Sequence, residues 1–256
     1  MTEALRVFRK TATPSTRLAA EADGLAALRA TGTVRVPATL DADDTNGLVL
    51  EWLDLRGLDA RSGARLGTDL AALHCAPVPR ALRGKFGWHR DNYIGATPQL
   101  NAVSSSWVGF WREQRLVPQL EQAAAAGHGR ALQRCGEALA ARLDVVLAAH
   151  APAPALLHGD LWSGNAGALP DGTPVVFDPA VYVGDREADV AMTELFGGFP
   201  PAFHAAYRAA APLDEGYTLR RDVYNLYHLL NHLNLFGAAY LSRCERTIAR
   251  VLAEVR

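Results

Sequence analysis

The chain is poor in cysteine and has no long apolar segment. Its three cysteines, Cys75, Cys135 and Cys244, are far apart and form no CxxC pair, so the sequence shows no disulfide framework. No apolar run approaches the roughly 20 residues that a transmembrane helix needs, and residues 1–6 lack the apolar segment of a secretory signal peptide. We therefore expect a cytoplasmic protein, because the cytoplasm keeps thiols reduced.

An excess of charge of either sign is also absent. The 26 Lys and Arg residues balance the 27 Asp and Glu residues, and the formal net charge is −1. Nucleic acids and anionic membranes attract basic proteins, so neither is expected as a partner. With 49% hydrophobic and 21% charged residues, the composition is that of a globular protein, whose working unit would be a monomer or a homodimer.

Two common nucleotide-binding motifs are missing as well. The sequence contains no Walker A motif and no GxGxxG motif, which argues against P-loop and Rossmann sites. It also contains no glycine before Gly24. A nucleotide site in this chain would have to be built from other residues.

The first fifty residues show strand and helix patterns in turn. Residues 6–10 alternate like a strand, and leucines at helical spacing predict a helix over residues 15–30. Two more strands are expected at residues 34–37 and 47–53, with the polar run 41–47 as the turn between them. The predicted order is β, α, β, β.

Helix patterns dominate the rest of the chain. Three apolar faces predict three helices: Leu66, Leu70 and Leu73; then Trp107, Phe110, Trp111 and Leu116; then Leu132, Cys135, Leu139, Leu143 and Leu147. Pro118 is expected to kink or restart the second of them. A long helix is expected over residues 219–241, and short strand-like segments occur at residues 155–157 and 174–177.

These patterns together predict an α+β fold of two lobes. Residues 1–53 would form a small, shortened, β-rich N-terminal lobe, and residues 54–256 a larger helical lobe. No internal repeat or low-complexity linker interrupts the chain.

The most informative segment is His-Gly-Asp-Leu-Trp-Ser-Gly-Asn at residues 158–165, followed by Phe-Asp-Pro at residues 177–179. Phosphoryl transfer by protein-kinase-like enzymes uses an Asp that accepts or orients the attacking hydroxyl, and an Asn and a second Asp that hold Mg²⁺. Asp160, Asn165 and Asp178 match these roles, whereas an ordinary hairpin loop would not require all three. His-Gly-Asp in place of the kinase His-Arg-Asp, and Asp-Pro in place of Asp-Phe-Gly, favour a small-molecule phosphotransferase.

Candidate residues for ATP lie upstream. Lys10 ends the first predicted strand and Glu21 lies on the following helix, as in kinases, where a strand Lys contacts phosphate and pairs with a helix Glu. Solvated surface charges are the alternative interpretation of both residues. The segment Leu-Glu-Trp-Leu at residues 50–53 is a plausible hinge for adenine.

The sequence resembles the fructosamine kinase family over nearly its whole length. The matching stretches are FRKT at residues 8–11, EADGL at 21–25, LEWLDL at 50–55, DNYIG at 91–95, HGDLWSGN at 158–165, FDPA at 177–180, RE at 186–187, MTELFGG at 192–198 and YHLLNHLNLFG at 227–237. The tryptophan after HGDL and the last stretch distinguish this family from aminoglycoside and choline kinases.

The resemblance implies ATP- and Mg²⁺-dependent phosphorylation of a sugar hydroxyl on a ketosamine, the adduct that forms when a sugar glycates an amine. Phosphorylation makes such an adduct unstable, so the amine is repaired. By position, the implied catalytic base is Asp160, the Mg²⁺ ligands are Asn165 and Asp178, and the phosphate-binding pair is Lys10 with Glu21.

Further roles follow from the same resemblance. Glu51 and Leu53 would offer backbone groups to adenine. Trp162 would be a wall for the sugar, with a core aromatic as the alternative, and His158 is a second candidate for the substrate site. Asp189 is expected to be a structural acceptor that supports the catalytic loop.

One feature departs from the family pattern. A glycine-rich hairpin precedes the phosphate-binding Lys in the family, but only nine residues precede Lys10 and none is glycine. Backbone N–H groups of such a loop supply much of the phosphate cradle. Either the coding start is assigned too late, or the protein binds nucleotide weakly or differently. The missing loop also leaves open a nucleotide-independent binding or regulatory pseudokinase.

Two other interpretations concern the acceptor and a possible metal. A kinase for an aminoglycoside or another small alcohol shares the predicted fold, but the balanced net charge gives no support to a polycationic substrate. His228 and His232 are spaced like metal ligands on a helix, yet Leu229 stands where a zinc hydrolase has Glu. Helix packing and hydrogen bonding explain this histidine pair better.

Overall fold

The start of the chain forms a three-stranded antiparallel sheet and one helix. The computed structural model describes residues 6–12, 16–43 and 47–255. The elements are β1 (Val7–Lys10), α1 (Thr16–Ala30), β2 (Thr39–Asp43) and β3 (Gly47–Glu51), and β3 is the central strand. α1 packs against β2 and β3 through its buried leucines. The turn predicted over residues 41–47 lies partly within β2 and partly outside the described residues.

The prediction of a strand over residues 34–37 is wrong, because these residues lie in a loop. Its two valines are buried in alternation, as a strand would have them. However, the Arg35 carbonyl accepts a hydrogen bond from the Val176 N–H (3.0 Å) in the larger lobe. β2 starts only after Pro37, which has no N–H to donate to a ladder.

The larger lobe is built mainly from helices. They are α2 (Ala60–Cys75), α3 (Trp107–Trp111), α4 (Val117–Ala125), α5 (Arg130–Val146), α6 (Glu187–Leu195), α7 (Pro201–Ala210), α8 (Tyr217–Phe236) and α9 (Leu241–Glu254). α8 packs on α4, α6 and α9 and forms the centre of the lobe. The predicted leucine face of α2 is buried, and the long helix predicted over residues 219–241 corresponds to α8.

Pro118 restarts a helix, as expected. A π-helical turn, Arg112–Leu116, joins α3 to α4, and Pro118 lies in the first turn of α4. Proline removes one N–H from the helical ladder, and the wider π turn accommodates that loss. The turn also places Arg115 in the core, 4.1 Å from the centroid of the Tyr182 ring.

Short antiparallel strand pairs support the loops between the helices. They are β4 (Asn92–Ile94) with β5 (Thr97–Gln99), β6 (Ala155–Leu157) with β9 (Tyr182–Gly184), and β7 (Ala166–Ala168) with β8 (Pro174–Val176). Sequence patterns predicted β6 and β8 but not their partners, because three residues are too few to show a periodicity. β6 leads into the loop 158–165, and β8 leads into Asp178.

The architecture is the predicted α+β fold, with a small sheet-containing lobe before a larger helical one. The boundary predicted between residues 53 and 54 stays a prediction. Across the described residues, every helix is either too short or too polar to cross a membrane.

Candidate active site

The catalytic loop begins with a glycine that the fold requires. Gly159 has φ +83°, in the left-handed region that favours glycine. A Cβ atom at this position would overlap the Ala180 carbonyl oxygen. The close approach arises because the His158 carbonyl accepts a hydrogen bond from the Ala180 N–H (2.9 Å). These contacts explain why the motif reads His-Gly-Asp here.

Asp189, in the first turn of α6, holds this loop. Its two carboxylate oxygens accept hydrogen bonds from the backbone N–H groups of His158 (2.7 Å) and Gly159 (2.8 Å). Burial alone would raise the pKa of Asp189, but hydrogen bonding and the charge of His74, together with His158 and Gly159, lower it. The carboxylate is therefore ionised, and the prediction that Asp189 is a structural acceptor is confirmed.

His158 lies behind the loop and does not face the cleft. It is fully buried, and its Nε2–H donates to the Phe177 carbonyl (3.0 Å). Its Nδ1 accepts a hydrogen bond from the Asp160 N–H (3.2 Å), and burial lowers the pKa of its imidazole. The predicted substrate contact of His158 is wrong for this reason, and the neutral ring instead orients Asp160.

Asp160 has an unusual protonation equilibrium. Burial raises the pKa of Asp160 to about 7, with contributions from the charges of Asp178 and Asp189, although a hydrogen bond from Asn165 opposes the shift. Asn165 Nδ2 donates to the Asp160 backbone carbonyl (2.9 Å) and to Oδ2 (3.2 Å). A pKa close to neutral suits a carboxylate that accepts and then releases a proton.

Asp178 and Asn165 present oxygen atoms on one side of the cleft. Asp178 has φ +55°, and its side chain is 45% exposed. Since the Asn165 Nδ2 donates to Asp160, the amide oxygen is the atom that Asn165 can offer to a ligand. Carboxylate and amide oxygens are hard donors of the kind that Mg²⁺ takes, usually with waters and phosphate oxygens. This donor set fits the predicted metal.

Lys10 joins the two lobes at the site. Its Nζ lies 2.7 Å from Glu21 Oε1 and 2.5 Å from Asp178 Oδ1, so the predicted Lys10–Glu21 pair forms. Burial alone would lower the pKa of Lys10, but the two carboxylates outweigh burial and raise it. Burial also raises the pKa of Glu21, against the effect of Lys10. Lys10 is thus a partly buried permanent cation.

Two adjoining cavities meet at Lys10 and Asp178. The smaller, of 260 Å³, is lined mostly by apolar groups: Phe8, Pro37, Leu50, Trp52, Leu53, Leu55 and Phe177, together with Glu51. The larger, of 520 Å³, contains Lys10, Glu21, Asp160, Asn165, Asp178 and Trp162 among its lining residues. Trp162 is 40% exposed, so it is a wall of this cavity and not a core residue.

Some hydrogen-bonding groups of the predicted hinge, residues 50–53, are already used within the protein. The Glu51 side chain is bound to Arg35 Nη2 (2.6 Å), and its backbone N–H donates to the Ala38 carbonyl (2.8 Å). The Leu53 N–H makes no hydrogen bond to any residue that the structure describes. The backbone contacts predicted for Glu51 and Leu53 with adenine stay a prediction.

Sequence reasoning did not single out two residues that line the larger cavity, Arg17 and Tyr93. The Arg17 guanidinium lies 5.9 Å from the Tyr93 ring centroid, and its Nη2 donates to the Gly95 carbonyl (2.8 Å). Thr16 Oγ1 and the Tyr93 hydroxyl are 2.9 Å apart. The DNYIG stretch at residues 91–95 was the sequence signal for Tyr93. Its packing beside α1 is a tertiary contact, which the sequence does not show.

The histidine pair on α8 has a structural role, as expected. His232 Nδ1–H donates to the His228 carbonyl (2.8 Å). Burial lowers the pKa of His228 to about 3, so this ring is neutral.

A cluster with metal-ligand spacing does occur elsewhere in the described chain, at His150, Glu187 and Asp214. The Arg220 guanidinium bonds both carboxylates, at 2.6 Å from Glu187 and 2.5 Å from Asp214. An arginine within this cluster marks an ion-pair network and not a cation site.

The fold and site together define a class of phosphotransferase with a protein-kinase-like architecture. A choline kinase of Streptococcus pneumoniae superposes with a TM-score of 0.61 at 14% identity, covering 99% of this chain and 88% of that protein. This likeness concerns the fold alone.

The chain belongs to the fructosamine kinase family, whose model matches residues 2–254. A probable ketoamine kinase of Synechocystis is 44% identical over 241 residues, 91% of this chain and 78% of that protein. The protein-ribulosamine 3-kinase of Arabidopsis thaliana chloroplasts is 41% identical over 226 residues, 87% of this chain and 68% of that protein.

Solved structures agree with this membership. A candidate fructosamine-3-kinase of Thermobifida fusca has a TM-score of 0.86 and 36% identity, covering 96% of this chain and 85% of that one. A second, from Haemophilus somnus, has a TM-score of 0.84 and 30% identity, covering 97% and 83%.

Proposed function

We propose that this protein transfers the γ-phosphate of ATP to a sugar hydroxyl of a ketosamine. The observation on which this rests is that Asp160, Asn165, Asp178 and Lys10 meet in one cavity. Family membership and the relatives named as ketoamine and ribulosamine kinases support the ketosamine as the acceptor.

The smaller cavity is our proposed adenine site. Its walls are mainly apolar, and a flat base needs such walls with a few polar groups for orientation. The Glu51 carbonyl and the Leu53 N–H would supply those groups. The phosphate chain of a nucleotide whose base lies in this cavity would extend to Lys10 and Asp178, which line both cavities.

The phosphate end of the site would be neutralised from two sides. Lys10 supplies a cation whose pKa is raised. Asn165 and Asp178 would hold Mg²⁺, and the ion would supply positive charge to offset that of the phosphates. Because Lys10 also bonds Asp178, this lysine sets the position of the proposed metal ligand.

Asp160 would act on the acceptor hydroxyl. Its carboxylate is held by Asn165 and by the backbone contact to His158, so it presents an oxygen to the cavity in a defined orientation. Its raised pKa favours acceptance of the hydroxyl proton. Trp162, two residues further along the loop and partly exposed, would pack against the sugar.

The test is ADP release by the purified protein with Mg-ATP and a ribulosamine or fructosamine. Wild-type protein should turn over only when the ketosamine is present. Asp160→Asn should lower kcat by about 10²- to 10⁴-fold while nucleotide binding, measured by thermal shift, persists. Asp144→Asn changes a residue that is paired with Arg112 outside both cavities; it is the matched control and should behave as wild type.

Three results would contradict the proposal. Turnover of an aminoglycoside but of no ketosamine would assign a different acceptor. Loss of nucleotide binding in Asp160→Asn would show that Asp160 is not the base. A protein that binds Mg-ATP but releases no ADP with a ketosamine or an aminoglycoside would be a binding protein and not a kinase.

A further inference from the structure

A patch of partly exposed rings borders the larger cavity. We call Phe196, His232, Phe236 and Tyr240 the aromatic surface. Ring centroids are 4.7 Å apart for Phe196 and His232, 5.3 Å for His232 and Phe236, and 5.2 Å for His232 and Tyr240. Phe236 is 65% exposed and Phe196 is 37% exposed. A contiguous exposed patch of this kind marks a binding surface more often than scattered apolar residues do.

The aromatic surface continues from the cavity at Trp162. The Trp162 and Phe196 rings are 6.5 Å apart in an edge-on arrangement, and Trp162 lines the cavity beside Asp160. The end of α8 also lies beside the cavity at a second point. Gly95 lines the cavity, and a Cβ on Gly95 would lie 3.4 Å from the side chain of Leu235. Leu235 directly precedes Phe236 on α8, so the end of α8 borders the acceptor side of the cavity.

The aromatic surface is held in a fixed relation to the catalytic loop. Phe196 is followed by a turn in which Gly198 has φ +92°, and a Cβ on Gly198 would overlap Ser163 of that loop. Arg243 donates to the Leu195 carbonyl (3.0 Å), and its guanidinium lies 5.9 Å from the Phe196 ring centroid. Such support makes a surface suitable for positioning a substrate.

We propose that the aromatic surface binds the group attached to the amine nitrogen of the ketosamine, which we call the carrier. It favours carriers with an aromatic or extended apolar group. This inference rests on the proposed function. With the acceptor hydroxyl at Asp160 and the sugar against Trp162, the amine and its substituent extend away from the phosphates. The rings next to Trp162 are the apolar surface that they meet.

The chemistry of the aromatic surface agrees with an apolar group. Burial lowers the pKa of His232, and the charge of Arg243 adds to the effect, so the ring is neutral at pH 7. Of the four residues, none carries a carboxylate that would bind a second ammonium group. Stacked or edge-on contacts with these rings contribute more binding free energy for an aromatic carrier than for a small polar carrier.

The experiment compares two substrates that carry the same ribulose, one on benzylamine and one on methylamine. Wild-type protein should have the lower KM for the benzylamine adduct. Phe236→Ala should raise that KM about 3- to 10-fold, with kcat unchanged and the methylamine adduct unaffected. Val145→Ala shortens a side chain that is 61% exposed on α5, outside both cavities, and should change neither KM.

The outcomes separate this inference from the proposed function. Equal KM changes for both adducts in Phe236→Ala, or none, would overturn the inference while ketosamine turnover upheld the kinase. Absence of turnover of both adducts by the wild type would overturn the kinase and the inference with it. A wild-type dimer that Phe236→Ala converts to a monomer, with KM values unchanged, would assign the aromatic surface to a second copy of the chain.

Discussion

Two residues of the site have positive φ angles, which residues with a side chain rarely adopt. Gly159 has φ +83°, and Asp178, a residue with a Cβ, has φ +55°. Aspartate tolerates the left-handed region better than most residues, and here the conformation turns its carboxylate towards Lys10. The fold therefore accepts a conformational cost at the positions that orient the catalytic loop and the proposed metal ligand.

A matched pair of glycines tests the cost at Gly159. Gly172, in the β7–β8 turn, has φ +84° but open space around its Cβ position. Gly172→Ala should destabilise by about 1–2 kcal/mol, the cost of the left-handed conformation alone. Gly159→Ala should cost about 1–3 kcal/mol more, because its Cβ meets the Ala180 carbonyl. Urea unfolding would measure both, and equal losses would contradict the close contact.

The raised pKa of Asp160 predicts how turnover depends on pH. A base must be ionised, so kcat/KM should fall about tenfold per pH unit below pH 7 and level off above it, given the pKa of about 7. A profile that is flat between pH 5.5 and pH 8 would contradict this assignment.

Stability should follow the opposite trend for the same residue. A folded-state pKa raised from 3.8 means that folding takes up a proton. The contribution of Asp160 to the free energy of unfolding is therefore largest at low pH and is lost as the pH rises through about 7. Asp160→Asn should remove this dependence, which unfolding curves at several pH values would show.

At the scale of elements, α6 organises a loop that lies about thirty residues before it in the chain. Asp189 receives two N–H groups of the loop 158–165 and also lies 3.2 Å from the His74 Nε2 of α2. One buried carboxylate thus ties two helices to the catalytic loop. Asp189 is 1% exposed and cannot touch a substrate, so its role in the site is structural.

Replacing that carboxylate should damage the loop as a unit. Asp189→Asn should destabilise by about 2–4 kcal/mol, because an amide cannot accept both N–H groups and His74 is left without its charged partner. At a temperature where the variant is folded, kcat should fall while the KM for ATP changes little. Asp69→Asn removes a surface pair with Arg65 on α2 and should cost less than about 1 kcal/mol. Equal losses of stability would contradict the anchoring role.

At the scale of the whole molecule, Lys10 links the lobes. Its bond to Asp178 joins residues 168 positions apart, and both side chains line the two cavities. In the proposed function, nucleotide binding and the relative placement of the lobes would depend on this same contact.

The chain offers a natural control for this contact, because Lys10 and Lys85 are its only lysines. Lys10→Met should weaken Mg-ATP binding about 10- to 100-fold, the loss expected for a hydrogen bond to a charged group. Lys85→Met changes an exposed side chain and should not alter binding. Isothermal titration with Mg-ATP would compare them, and equal affinities would remove Lys10 from the proposed phosphate site.

Much of the site could be predicted from the sequence, because its residues stand in short fixed spacings. Asp160, Asn165 and Asp178 were identified from one loop and one strand end. His158 was misplaced, because the sequence does not show on which side of a loop a side chain packs. Arg17 and Tyr93 were missed, because they approach the cavity only when α1 packs beside the β4–β5 pair.

The sequence by itself determined the order of the long elements and the chemistry of the catalytic loop, since helix periodicity and motif spacing are local properties. Only the tertiary structure decided where residues 34–37 pair, which strands join β6 and β8, and how the aromatic surface continues from Trp162. Those features depend on contacts between distant parts of the chain, such as Arg35 with Val176. Their free energy comes from burial and hydrogen bonding between segments that no local pattern connects.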